Sequence, residues 1–170
     1  NVGGDLLAVE ERADGSVAIL IADVAGHDIS ASYHTVIIKT LFTKYCKTSK
    51  LPIEFLENLN NILITSKSER MVTAQLIIVD KAKNLFTIFN AAHPSAVYWS
   101  KESSETTLLN LNGSVIGLLS NATFDSKTVP FKNGDRVFMY TDGLSDLTKV
   151  EGKTGESRQL TPNGIAEILK

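Results

Sequence analysis

The sequence predicts an α+β fold built on antiparallel sheets. Three observations lead there. Asp-Gly and Asn-Gly turn signals separate short strand-like runs. Two segments of helical period follow one another directly between Ile29 and Ile64. Strand-like runs then resume beyond that pair. Hairpins flanking a consecutive helix pair suit antiparallel sheets better than the strand–helix alternation of a parallel one.

The elements are read in chain order. Residues 6–12 and 17–23 form two strands, joined by the turn Ala13-Asp14-Gly15-Ser16. The second run is apolar on both faces, which marks a central strand. After the short loop 24–28 the period changes. Ile29, Tyr33, Val36, Ile37, Thr40, Leu41, Lys44 and Tyr45 fall on one helical stripe reaching Cys46, with Asp28 or Ser30 as N-cap. Pro52 opens a second helix with Phe55, Leu56, Leu59, Ile62 and Leu63 on one face. A polar connector covers 65–70. Strands follow at 72–79, 85–90 and 96–99, with a turn at 80–84. Weaker strands fit 106–111, 123–129 and 136–140, and Lys132-Asn133-Gly134-Asp135 reads as a further hairpin turn. A short helical turn follows Thr141-Asp142-Gly143, then a Gly/Lys-rich loop at 151–156 and an unfinished amphipathic helix at 164–170.

Composition sets the outer bounds. A chain of 170 residues with 43% hydrophobic and 21% charged residues has the profile of one folded domain, here residues 1–170. The net charge of −2 gives no positive field to attract nucleic acid or anionic lipid. The longest apolar run, residues 17–22, falls far short of the ~20 residues that span a bilayer. A single cysteine, Cys46, excludes an internal disulfide and a Cys-based zinc cluster, and fits a cytoplasmic setting. With no initiator Met and an open helix at its end, the chain reads as a fragment of a longer protein, any membrane anchor of which would lie outside this segment.

Three aspartates carry the chemistry. Asp5 follows Gly3-Gly4 where a strand begins, Asp23 ends a buried strand, and Asp142 ends the run Val137-Phe138-Met139-Tyr140-Thr141 ahead of Gly143. Taken singly, a strand-end Asp beside Gly is a turn residue. Taken together they make a set of hard oxygen donors suited to Mg²⁺ or Mn²⁺ rather than Zn²⁺. Beside them, His27 reads equally as a backbone-bonded loop residue or as a group near a substrate phosphate. His93 reads as a tie at a strand end, His34 as an ordinary helix residue, Cys46 as a small helix hydrophobe, and Asp14, Asp80 and Asp135 as turn residues. The chain carries no Walker loop, no Gly-x-Ser-x-Gly, no His-Glu-x-x-His and no Cys-x-x-Cys.

Five short motifs stand in order along nearly the whole chain, and each resembles a motif of one known family. Val2-Gly3-Gly4-Asp5 resembles V-G-G-D, and Asp23-Val24-Ala25-Gly26-His27 resembles D-V-S-G-H. Met71-Val72-Thr73-Ala74 resembles F-V-T-A, and Asn90-Ala91-Ala92-His93-Pro94 resembles N-A-G-H-P. Gly134-Asp135 with Tyr140-Thr141-Asp142-Gly143-Leu144-Ser145-Asp146 resembles G-D…Y-T-D-G-V-T-E. The family they resemble is the SpoIIE/RsbU-type PPM (PP2C-like) serine/threonine phosphatases of bacteria, and the resemblance implies an αββα sandwich of two antiparallel sheets with helices outside. It implies two Mg²⁺ or Mn²⁺ ions, with Asp23 bridging, Asp5 and the Val24 carbonyl on one ion and Asp142 on the other, and a metal-bound water as nucleophile. It implies a phosphorylated protein substrate such as an anti-sigma-factor antagonist, and a fused sensor or receiver domain. The family departs from this chain at Leu6, Leu7 and Ala8, and at Asp28, where its Gly is replaced by a carboxylate expected near the cage. The family's pattern ends on a further strand carrying an Asp-Asp-x-Thr ligand, which residues 1–170 do not contain; a parent protein that has it is expected to be active, and one that lacks it to hold the second ion poorly. The alternative is a pseudophosphatase that keeps the fold and binds partners through its helix pair.

Overall fold

The computed structural model describes residues 4–26, 28–48, 50–145, 148–151, 156–159 and 161–168. They group into two compact units, one made of 1–93 with 111–130, the other of 94–110 with 131–170.

The first unit is a five-stranded antiparallel sheet with two helices. Its strands are β1 (Asp5–Glu11), β2 (Val17–Val24), β3 (Val72–Asp80), β4 (Leu85–Ala91) and β7 (Ser126–Pro130), hydrogen-bonded in that order. Helices α1 (Ile29–Cys46) and α2 (Pro52–Thr65) run between β2 and β3. The alternation of the central strands turns Leu20, Ala22, Val24, Val72, Ala74 and Leu76 into one apolar cluster with Ile38, Phe42, Phe55, Leu56 and Leu59 of the helices. Phe42 is fully buried and meets the Phe55 ring edge-on at 5.6 Å.

The boundaries of α1 are as the periodicity predicts, but its buried face is not. The seam that packs is Ala31, Ile38, Phe42, Tyr45 and Cys46, whereas Ile29, Tyr33 and Val36 are exposed. Both faces of α1 are apolar, so period alone does not choose between them; the large Phe42 and Tyr45 rings decide. Asp28, not Ser30, is the N-cap, accepting the Ala31 N–H at 2.9 Å. On α2, Pro52 begins the helix and the Glu54 carboxylate accepts the Leu51 N–H. Buried Asn60 donates to the Leu119 carbonyl and accepts from the Gly117 N–H, so one helix residue fixes the 117–119 loop.

The second unit holds a three-stranded antiparallel sheet in the order β6 (Thr106–Leu109), β5 (Ala96–Trp99), β8 (Arg136–Phe138). Against it packs α4 (Pro162–Ile168), through Ile165 and Ala166 with Val97 and Tyr140. The Lys132–Asp135 turn is not a hairpin. It joins β7 of one sheet to β8 of the other, and Asp135 anchors it by accepting from the Tyr98 hydroxyl and the Lys101 and Lys132 N–H groups. Around the expected 151–156 loop lies an antiparallel ribbon of β9 (Thr148–Glu151) and β10 (Glu156–Gln159). The predicted strand at 123–129 shifts to Ser126–Pro130, because Phe124 forms only an isolated bridge with Gly113. None of the described helices is long and apolar enough to cross a membrane.

Two substitutions test this packing. Phe42→Ala should cost about 3–5 kcal/mol in denaturant unfolding, the range for truncating a fully buried aromatic. Ala92 is exposed yet sits at φ +52°, a left-handed conformation that disfavours any Cβ. Ala92→Gly should therefore raise stability by about 0.5–1 kcal/mol. A loss of stability in that variant would show that the Ala92 backbone is not left-handed in solution.

Candidate metal centre

The first hairpin decides which carboxylates come together. Its loop is closed by Arg12 and Ser16, with the Arg12 N–H on the Ser16 carbonyl at 2.8 Å and Gly15 at φ +80°. That is the geometry of a three-residue hairpin loop ending in a left-handed glycine. Asp14 braces it by accepting from the Ser16 N–H and hydroxyl, which hold its carboxyl below the usual range. From this turn the register runs Glu11↔Val17 through to Asp5↔Asp23. Directly paired residues point to one face of a sheet with Cβ atoms about 4.5–5.5 Å apart. Two of the expected metal ligands are therefore cross-strand partners, Asp5 exposed and Asp23 half-buried.

The third expected donor is beside them. Val24 follows Asp23, is buried, and its N–H donates to the Gly4 carbonyl at 3.1 Å. A Cβ on Gly4 would overlap the Val24 carbonyl oxygen and lie 3.1 Å from Asp23 Oδ1. Only glycine lets the strand start approach that carbonyl and carboxylate so closely. Like charges placed directly opposite repel. Two carboxylates and a main-chain carbonyl at one sheet end thus fit a hard divalent cation by both charge and donor type. Among the described residues, however, no three His, Cys, Asp or Glu side chains form a cation cluster by themselves.

Asp142 belongs to the second unit. It does not end a strand, since β8 stops at Phe138; instead it opens the four-residue helix α3 (Asp142–Ser145) and is exposed. His27, together with Val2, Gly3 and Asp146 of the motifs, lies outside the described residues.

The loop from Asp23 to α1 is tied to the connector before β3. Ala25 N–H donates to the Met71 carbonyl at 2.9 Å, and Arg70 reaches back to the Ala25 carbonyl and the Asp28 carboxylate. The carboxylate that replaces the family's Gly is thus occupied by the helix cap and by Arg70. The Ala31 N–H, and after it Arg70, hold its pKa below the usual value. Arg70 escaped the sequence reading, because a basic residue in a polar connector carries no periodic signal. Thr73 also escaped, although with Gln75, two positions on, it interrupts the apolar run of β3 ahead of its terminal Asp80.

The remaining sites fall where their residue types predict. His34 bonds the Ser30 carbonyl and the Ser68 hydroxyl. Cys46 is buried, and burial pushes its thiol up to about 11, so it is inert. His93 is buried and ties the end of β4 to Thr73 of β3.

Comparison with known proteins places this geometry in a family. The family model described as Stage II sporulation protein E (SpoIIE) matches residues 13–168. The phosphoserine phosphatase RsbP of Bacillus subtilis (strain 168) is 27% identical over 152 residues, covering 86% of this chain and 38% of RsbP. The chain spans about two fifths of the length of the curated relatives it matches. Among solved structures, the SiaA-PP2C domain of Pseudomonas aeruginosa aligns with a TM-score of 0.78 at 22% identity, covering 99% of this chain and 64% of that one. RsbX in complex with magnesium aligns with a TM-score of 0.71 at 18% identity, covering 99% and 79%. The antiparallel sheets and helices are those of the PP2C-like fold, and the chain belongs to the SpoIIE family.

Proposed function

We propose that this chain is the catalytic domain of a metal-dependent protein serine/threonine phosphatase. Its substrate is a phosphoserine or phosphothreonine on a regulatory protein, such as an anti-sigma-factor antagonist. Membership of the SpoIIE family supports this, as does the similarity to the phosphoserine phosphatase RsbP. The observation that carries it is the Asp5–Asp23 cross-strand pair beneath Gly4. A structural hairpin gains nothing from two opposed carboxylates, whereas a cation site requires them.

Hydrolysis adds the oxygen of water to phosphorus, breaks the ester P–O bond and returns the serine or threonine hydroxyl with inorganic phosphate. Two Mg²⁺ or Mn²⁺ ions, when bound, would supply an activated water and neutralise charge on the phosphoryl group; the magnesium complex of RsbX supports a divalent ion. In this proposal Asp23 would serve both ions, Asp5 and the Val24 carbonyl would hold one, and Asp142 would hold the other, the last by its motif alone. The Gly4 carbonyl accepts from the Val24 N–H, and Arg70 holds the loop that follows. His27 stands as the candidate group near the substrate phosphate. The chain works in the cytoplasm, joined to a sensor or receiver domain, and its length relative to RsbP supports that fusion. The exposed Ile29–Tyr33–Val36 stripe favours the second reading, a catalytically silent domain that binds partners through α1.

Asp23→Asn separates the two. The wild-type chain should hydrolyse p-nitrophenyl phosphate with Mn²⁺, and Asp23→Asn should lose at least about 100-fold, the upper end of what even indirect changes around a metal cost. Mn²⁺ at about 100 times its Kd should stabilise the wild type by about 2.7 kcal/mol. Asp23→Asn should lose that gain, yet be no less stable than wild type without metal, since the charge opposed to Asp5 is gone. Near-normal turnover of Asp23→Asn at saturating Mn²⁺ would refute the bridge.

A further inference from the structure

Resting on the metal reading above, we propose that Thr73 and His93 are positioning residues for Asp23: the buried imidazole fixes the Thr73 hydroxyl as a hydrogen-bond donor on the face that carries the carboxylate pair. The register places Thr73 directly opposite Asp23 on the side away from Asp5. Asp5, Asp23 and Thr73 therefore form one row across three adjacent strands, all on one face. The row continues to His93, whose Nδ1 lies 2.9 Å from Thr73 Oγ1 and which is only 5% exposed.

The backbone that delivers His93 is unusual. Ala92 is left-handed at φ +52° and forms a parallel bridge with Ala74, next to Thr73. A non-glycine residue in that region carries strain, and such strain gathers where a side chain must be placed. Here it turns the chain back along β3 and sets the imidazole against Thr73.

The proton arrangement follows from charge. A hydroxyl has one proton to donate. If Thr73 donated it to His93, its lone pairs would be turned toward two carboxylates. If Nδ1–H donates to Thr73 Oγ1, the hydroxyl proton is left for the anionic side. The negative pair selects the second arrangement, and with it the Nδ1–H tautomer of His93. A ligand carboxylate held by such a donor keeps one orientation, the service outer groups commonly give around metals.

Direct Mn²⁺ binding to the full chain, followed by the electron paramagnetic resonance of free Mn²⁺, tests this without turnover. Thr73→Val keeps the shape and removes the hydroxyl; its Kd should rise about 10- to 100-fold. Thr73→Ser should restore binding close to wild type. His93→Asn, which keeps a polar group near the Nδ1 position, should bind more tightly than His93→Ala. Independently of any variant, ¹⁵N NMR of the wild type should show His93 protonated on Nδ1. Wild type that binds no Mn²⁺ overturns the metal reading and this proposal with it. Wild type that binds Mn²⁺ while Thr73→Val binds equally well, or a His93 protonated on Nε2 alone, overturns this proposal and leaves the metal reading standing.

Discussion

The register of the first hairpin is the constraint on which the site depends. Side chains alternate along a strand, so a slip of one residue between β1 and β2 would carry Asp5 or Asp23 to the opposite face. Two things prevent the slip. The turn at 12–16 is set by Gly15 and braced by Asp14, and the strand that follows has Leu20, Ala22 and Val24 committed to the core. The carboxylate pair is thus held by a turn a strand's length away and by packing on the far face. The mutual repulsion of the two carboxylates works against the pairing. The fold bears a local cost at the strand ends, and the large apolar core behind them offsets it.

The same economy governs the loop that leaves Asp23. Between Val24 and α1 the chain has few residues of its own to hold it. Its bonds go instead to Gly4, Met71 and Arg70, each on a neighbouring segment. Asp28 completes this by capping α1 and meeting Arg70 at once. The start of α1, the connector after α2 and the loop carrying Val24 are joined in one network. On the other side of Asp23 the register places Thr73, whose hydroxyl is bonded to His93, so Asp23 stands between a charged cross-strand neighbour and a neutral one.

Much of this was legible in the residues. Period changes located α1 exactly, because its apolar positions recur with the helical step from Ile29 and end with Cys46. The Asp-Gly turn announced the hairpin, and the Gly-Gly-Asp and Asp-Val-x-Gly runs singled out Asp5 and Asp23, which the register pairs. What escaped has physical causes. The buried face of α1 was hidden because two apolar stripes compete on one helix, and only the sheet beneath selects Phe42 over Tyr33. The Lys132–Asp135 turn looked like a hairpin because turn chemistry does not say which sheet the next strand joins. The β9–β10 ribbon lies among polar residues without strand-like alternation. Asp142 looked like a strand end because Val137 to Thr141 is apolar, although only Arg136–Phe138 pairs. Thr73 and Arg70 act through tertiary partners, which spacing along one chain does not reveal.

The central claim is that Asp5 and Asp23 face each other in order to share a cation. Anomalous diffraction from crystals grown with Mn²⁺ tests it most directly. The account predicts an anomalous peak within roughly 2.0–2.6 Å of carboxylate oxygens from both residues. A fully occupied Mn²⁺ elsewhere, with both carboxylates engaged only by protein donors, would contradict it.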